Sequence, residues 1–122
     1  MYTYSFEKLE VWREAKEYTL LVYGLTANFP EYEKFGLTSQ LRRASVSICS
    51  NVAEGSARNS YKDKAHFTTM AFSSAVEVLN QLIICNELNF ISELEYINAR
   101  TLLESITNKL NALRVSQLKQ IN

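Results

Sequence analysis

Residues 37–55 read Leu37-Thr38-Ser39-Gln40-Leu41-Arg42-Arg43-Ala44-Ser45-Val46-Ser47-Ile48-Cys49-Ser50-Asn51-Val52-Ala53-Glu54-Gly55, with no proline and no glycine before the last position. Wound at about 100° per residue, Leu37, Leu41, Ala44, Ile48 and Val52 fall on one arc, the pattern of a helix with a buried face. The flanking sequence extends that reading. Pro30 and Gly36 bracket one break, Gly55 to Ser60 a second and Asn89 to Ser92 a third, which predicts helices over about 7–28, 37–57, 61–88 and 93–118. At ~1.5 Å per residue each is about 30 Å long, so the four match in length as bundle helices do. Ser92-Glu93-Leu94-Glu95 forms a capping box at one start and Ser60-Tyr61-Lys62-Asp63 a weaker one at another. Phe29-Pro30 closes the first helix, because a residue before proline avoids the helical region.

Composition agrees with an all-α chain. The 122 residues are one domain's length, and three glycines with one proline are too few for many short strands joined by tight turns. A hydrophobic fraction of 47% and a charged fraction of 21% exclude disorder as the default. The predicted architecture is an antiparallel up-and-down four-helix bundle. Its first helix buries Leu9, Trp12, Ala15, Thr19, Val22 and Leu25 or Thr26, and its fourth Leu103, Ile106, Leu110 and Leu113. Phe67, Ala71, Ser74, Val78, Leu82 and Cys85 share one side of the third.

Helices two and three carry apolar residues beyond what one core stripe needs. Val46, Cys49 and Ala53 lie well round the second helix, and Phe72, Val76, Leu79 and Ile83 form a further row on the third. In water these rows would make a continuous apolar stripe, so they are candidates for an oligomer interface. The alternative is a wider buried arc within a monomer.

Catalytic signatures are missing. His66 is the one histidine, and Asp63 with His66 supplies half of one di-metal motif where such a site needs two plus further carboxylates. No glycine-rich phosphate loop, nucleophile elbow or HExxH helix occurs. No metal and no cofactor is expected, and the chain is read as non-enzymatic. The N-terminus lacks the basic start and apolar run of a signal peptide, the apolar clusters are shorter than the ~20 residues of a membrane span, and Cys49 and Cys85 have no CxxC partner. A cytoplasmic protein without a membrane partner is the expectation.

One polar row stands out on the second helix. Gln40, Arg43, Ser47, Asn51, Glu54 and Arg58 fall within about 80° beside the Leu41–Ile48–Val52 row. Two readings fit: a structural network in which these groups satisfy one another, with Glu54–Arg58 as an i, i+4 pair and Glu77 as a cross-helix partner for an arginine, or a binding surface. Lys+Arg and Asp+Glu are 13 each, yet residues 37–66 carry a net +3 and residues 67–100 a net −3. A neutral chain therefore allows local basic patches.

The same segment resembles a known family. Leu37-Thr38-Ser39-Gln40-Leu41-Arg42-Arg43-Ala44, Ser47-Ile48, and Asn51-Val52-Ala53-Glu54-Gly55 with Arg58 are similar to the signature of the four-helix-bundle proteins named for 23S rRNA intervening sequences. Phe6, Leu9, Val11-Trp12, Ala15, Tyr23, Phe29-Pro30 and Glu33 upstream, and Phe67, Ala71, Ser74 and Glu77 downstream, extend the match over nearly the whole chain. Cys49 stands where that pattern often has proline. The resemblance implies a bundle that assembles into a ring, typically a homopentamer, related to the nucleic-acid-binding accessory protein of diversity-generating retroelements. The family name marks where some of its genes lie and assigns no activity. On this basis Arg42, Arg43, Arg58, Lys62 and Lys64 are candidate contacts to RNA or DNA, with Arg114 and Lys119 in support. The competing reading is a protein–protein adaptor or assembly scaffold that never touches nucleic acid. Neutral net charge favours the second and the resemblance the first.

Overall fold

Four α-helices form between the predicted breaks: α1 (Glu10–Thr26), α2 (Leu37–Ser56), α3 (Tyr61–Glu87) and α4 (Glu93–Lys119). The computed structural model describes residues 1–121, and no strand occurs among them. The caps explain most of the boundaries. At α4 the Ser92 hydroxyl accepts from the Glu95 amide at 3.1 Å while the Glu95 carboxylate accepts from the Ser92 amide at 2.9 Å. At α3 the Ser60 hydroxyl accepts from the Asp63 amide at 3.1 Å. The far end of α3 is closed by Asn89 at φ 61°, the left-handed position that asparagine tolerates. The Phe90 amide then reaches the Cys85 carbonyl at 2.9 Å and the Asn89 amide the Asn86 carbonyl at 3.1 Å.

The first helix is shorter than the pattern suggests. Ser5–Lys8 forms a separate 3-10 turn, and Leu9 is extended (φ −77°, ψ 126°) before α1 begins. Glu7 explains the split: its carboxylate accepts from the Tyr4 amide at 2.8 Å and caps the turn on its own. The Phe6 ring meets Trp12 edge-on at 4.9 Å, which folds the turn back on α1.

Contacts between helices fix the direction of each pair. Thr19 of α1 meets Ser45 and Cys49, whereas Thr26, further along, meets Arg42. Gln40 of α2 faces Gln81 of α3, while Gly55 faces Phe67. Thr68 of α3 bonds Gln117 of α4, and Tyr18 of α1 bonds Ala99 whereas Glu14 bonds Ser105. Along every pair rising numbers on one helix meet falling numbers on the other. The order is therefore antiparallel around a closed square, α1–α2–α3–α4–α1, without close backbone contact across either diagonal.

Ala15, Val22, Leu41, Ala44, Ile48, Val52, Ala71, Val78, Leu82, Cys85, Leu103, Ile106 and Leu110 fill the centre. Val11, Tyr18, Ala75 and Ala99 join them, and Leu9, Trp12, Leu37 and Leu113 pack at the margin. Tyr18 enters because its hydroxyl donates to the Ala99 carbonyl at 3.0 Å; a paired phenol is cheap to bury. By length and composition α3 is apolar enough to cross a membrane, with a mean hydropathy of 1.3 over its most apolar window. Short clusters hid this, since Ala and Thr join them without charge. In the bundle a third of that window is buried, against α2 on one side and α4 on the other, while Val76, Ile83 and Ile84 stay exposed.

Candidate functional site

Alternating helix direction gathers distant residues at each end of the bundle. The 3-10 turn, the end of α2, the start of α3 and the end of α4 meet around one groove of about 280 Å³, lined among others by Ser5, Gly55, Ser56, Tyr61, Lys64 and Gln117. Lys8, Arg13, Lys16, Arg58, Lys62, Lys64, Arg114 and Lys119 lie at or within about two turns of this end, against Glu7, Glu10, Glu14, Glu54 and Asp63.

Each cation is held differently. The Lys64 ammonium donates to the Ser56 carbonyl at 3.0 Å, capping the last turn of α2. The Arg58 guanidinium lies 4.4 Å above the Phe67 ring while Arg58 stays exposed. Lys62 is exposed, as is Tyr61 beside it at 45%. Tyr2 and Tyr4 add exposed rings from the N-terminal segment. Tyr61 and Lys8 escaped the sequence reading, which followed the motif and not the ends of the helices.

Arg42 is not part of this surface. Its Nε donates to Thr26 Oγ1 at 2.8 Å and its guanidinium lies 4.6 Å from the Tyr23 ring, so it ties α2 to α1. Arg43 is exposed, but on the α2–α3 flank, where it lines a groove with Phe35, Ser39, Gln40, Ser47 and Glu77.

The polar row does not form the expected network. Gln40, Arg43 and Glu54 are exposed and Ser47 and Asn51 half-buried. Among the described residues neither Arg43 nor Glu54 makes an ion pair. Arg58 turns to Phe67 in place of Glu54, and Glu77 accepts from Gln81 of its own helix at 3.3 Å. Asn51 donates to the Ser47 carbonyl at 2.9 Å. With water on one side these groups need no partners, and long charged side chains gain little by holding one geometry there.

The surplus apolar rows form two strips, not one stripe. Val46 is exposed, and Cys49, half-buried, meets Thr19 of α1; with Ala53 these line the α1 side of α2. Phe72 lies under the Arg114 guanidinium at 5.6 Å, and Val76 and Leu79 border a crevice with Arg100, Leu103 and Glu104 of α4. Val76 is 48% and Ile83 37% exposed, whereas Leu79 and Phe72 pack on the core margin.

Nothing among the described residues groups three metal-ligating side chains. His66 is exposed, its ring edge-on to Phe67 at 6.0 Å. Among the described residues the shortest ion pair lies on the α1–α4 seam, where Lys109 Nζ sits 2.5 Å from the Glu14 carboxylate and Ser105 donates to it at 2.9 Å. Burial raises the Glu14 pKa, but Lys109 and Ser105 outweigh it and leave the carboxyl below its ordinary value. Burial pushes the Cys85 thiol up to about 11, with the Glu33 charge adding to it, and Cys49 also lies above its ordinary value. Neither thiol is set up as a nucleophile.

The family model for 23S rRNA-intervening sequence proteins matches residues 7–112. A solved structure of a protein of unknown function from the S23 ribosomal protein family of Bacteroides thetaiotaomicron is similar in fold, with a TM-score of 0.77 at 20% identity. The likeness covers 85% of this chain and 97% of that one. No curated protein matches.

Proposed function

The chain belongs to the family of 23S rRNA-intervening sequence proteins, and from that premise we propose that it is a non-enzymatic, cytoplasmic, homo-oligomeric bundle that binds nucleic acid, RNA first, through its basic end. Segregation of charge carries this reading. A net charge of zero argues against phosphate binding only when the charges are evenly spread, and within two turns of this end eight cations, Lys62, Lys64 and Arg58 among them, outnumber five carboxylates, a net +3. Phosphate contacts provide most of such affinity, and local density of cations governs them. Tyr61 offers the adjoining stacking face.

Oligomerisation is supported by the two strips. One lies on the α1 flank of α2 and the other on the α4 flank of α3, so a patch on one subunit can cover a different patch on its neighbour. Such a heterologous contact closes into a ring when the rotation permits. Parallel subunits would then set all the basic ends on one rim.

The test is an anisotropy titration of a labelled 23S rRNA fragment at about 50 and about 200 mM salt. Arg58→Glu with Lys62→Glu should weaken binding and flatten the salt slope by about one per lost contact. No binding by the wild type at the lower salt overturns the reading. Light scattering across a dilution series tests the assembly. Val76→Glu should reduce the mass to that of a subunit, and a wild type that is already a 14.0 kDa monomer at micromolar concentration would refute the ring.

A further inference from the structure

The opposite end of the bundle displays aromatic rings within an acidic rim. The α1–α2 and α3–α4 connections meet there, with Phe29 5.5 Å and Tyr32 6.4 Å from the Phe90 ring. Tyr32 is 78% exposed, Phe35, 88% exposed, stands toward the α2–α3 flank with the Lys34 ammonium 5.6 Å from its ring, and Leu88 and Leu94 add exposed aliphatic surface. The two rings alone present on the order of 300 Å² to water. Isolated apolar side chains on a surface are ordinary, but a cluster of this size marks a contact site.

The surrounding charge says what kind of contact. Residues 28–36 and 87–95 carry Glu31, Glu33, Glu87, Glu93 and Glu95 against Lys34, a net charge of −4 that Arg42, held by Thr26 and Tyr23, and Arg43, in a groove with Phe35, reduce to −2 within two turns of the end. Glu33 and Glu95 accept from backbone amides of the helix starts. Glu31, Glu87 and Glu93 make no ion pair among the described residues.

We propose that this end is a docking surface for a cationic protein segment. Its Lys and Arg side chains would pair with Glu31, Glu87 and Glu93 while its apolar or guanidinium faces lie on Tyr32, Phe35 and Phe90. Charge excludes the other occupants. A nucleic acid or an anionic bilayer meets repulsion at five carboxylates, and a neutral apolar helix would strip water from them without supplying partners. Arginine suits both features, since it pairs with carboxylates and stacks on rings. The two ends thus display similar aromatic surface under opposite charge and select opposite partners. None of the residues of the basic end takes part, so each proposal stands or falls alone.

Anisotropy of a labelled synthetic peptide alternating arginine and leucine, titrated with the full chain at about 50 mM salt, tests this; its glutamate-for-arginine counterpart is the control. The arginine peptide should bind and the glutamate peptide should not. Glu31→Lys with Glu87→Lys should weaken binding roughly tenfold or more, and Phe35→Ser, at unchanged charge, should also weaken it severalfold. Lys62→Glu at the other end should cause no loss. All four side chains are exposed, and circular dichroism of each variant checks that the helices persist. Equal affinity of Phe35→Ser and wild type would reduce the interaction to bulk charge and overturn the proposal. So would self-association that Glu31→Lys with Glu87→Lys abolishes and added Arg58→Glu with Lys62→Glu restores, because the occupant would then be the basic end of a second copy.

Discussion

Gly55→Ala tests how tightly the α2–α3 seam is closed. Gly55 is buried in the last turn of α2, and a Cβ there would lie 2.8 Å from the Phe67 Cβ and 3.5 Å from the Lys64 carbonyl oxygen. Carbon atoms rest about 3.5–4.0 Å apart, so the seam must open by about 1 Å. The obstructing atom is fixed to the α3 backbone and has no rotamer by which to leave. Overpacking of this kind costs about 1–3 kcal/mol. Against it, alanine is favoured over glycine inside a helix by about 1 kcal/mol. The expected net loss is up to about 2 kcal/mol. Gly24 supplies the contrast. It lies exposed within α1, and a Cβ there would meet nothing within 4 Å. Gly24→Ala should therefore gain about 0.5–1 kcal/mol. Urea unfolding followed by helical circular dichroism, at one fixed protein concentration, measures both variants against the wild type. Similar gains from the two substitutions would refute the reasoning and show that α2 and α3 are not in close contact at Gly55.

Arg42→Gln should cost about 1–2 kcal/mol of stability, because it removes the bond to Thr26 and the contact with Tyr23. It should leave the salt slope of RNA binding unchanged, and a flatter slope would return Arg42 to the phosphate contacts. Glu54→Ala should change stability by less than about 0.5 kcal/mol, as an exposed carboxylate without an ion pair; a loss near ~3 kcal/mol would mean a buried network after all. The depressed Glu14 pKa stabilises the fold above the unfolded carboxyl value and loses that contribution as pH falls through the folded value. Stability should decline on acidification below about pH 4.5, and Glu14→Gln should show a smaller decline in the same urea titrations; parallel curves would refute the pairing with Lys109.

Much of the fold was legible because helix period and breakers are local signals. Leu41, Ala44, Ile48 and Val52 announce the buried face of α2 by spacing alone, and Ser92 with Glu95 announces the start of α4 by two side chains three residues apart. The misses share a cause. Tyr18 looks like a surface residue until the Ala99 carbonyl on another helix makes its burial cheap, and Gln81 looks like one although only its amide nitrogen finds partners, on Glu77 and Gln40. Leu9 looks helical until Glu7 closes a separate turn before it. The polar row failed for the opposite reason. Its alignment on one face was read correctly, but whether that face meets water depends on where α3 sits against α2, and no periodicity within α2 carries that information.

The charge pattern illustrates what composition conceals. Residues 37–66 and 101–122 are basic and 67–100 acidic, yet those blocks do not correspond to surfaces, because each long helix begins at one end and finishes at the other. In an antiparallel bundle the chain returns to the same end after every second helix. The N-terminal turn, the α2–α3 connection and the end of α4 therefore share one end, and the α1–α2 and α3–α4 connections share the other. Sorting charges by that alternation leaves Lys8, Arg58, Lys62, Lys64 and Lys119 in excess over Glu7, Glu10, Glu54 and Asp63 at one end, and Glu31, Glu33, Glu87, Glu93 and Glu95 in excess over Lys34, Arg42 and Arg43 at the other. A net charge of zero is thus compatible with two ends of opposite sign about 30–40 Å apart, well beyond the ~8 Å over which physiological salt screens them. Each end presents its own sign of charge to its surroundings, and the neutral total describes neither.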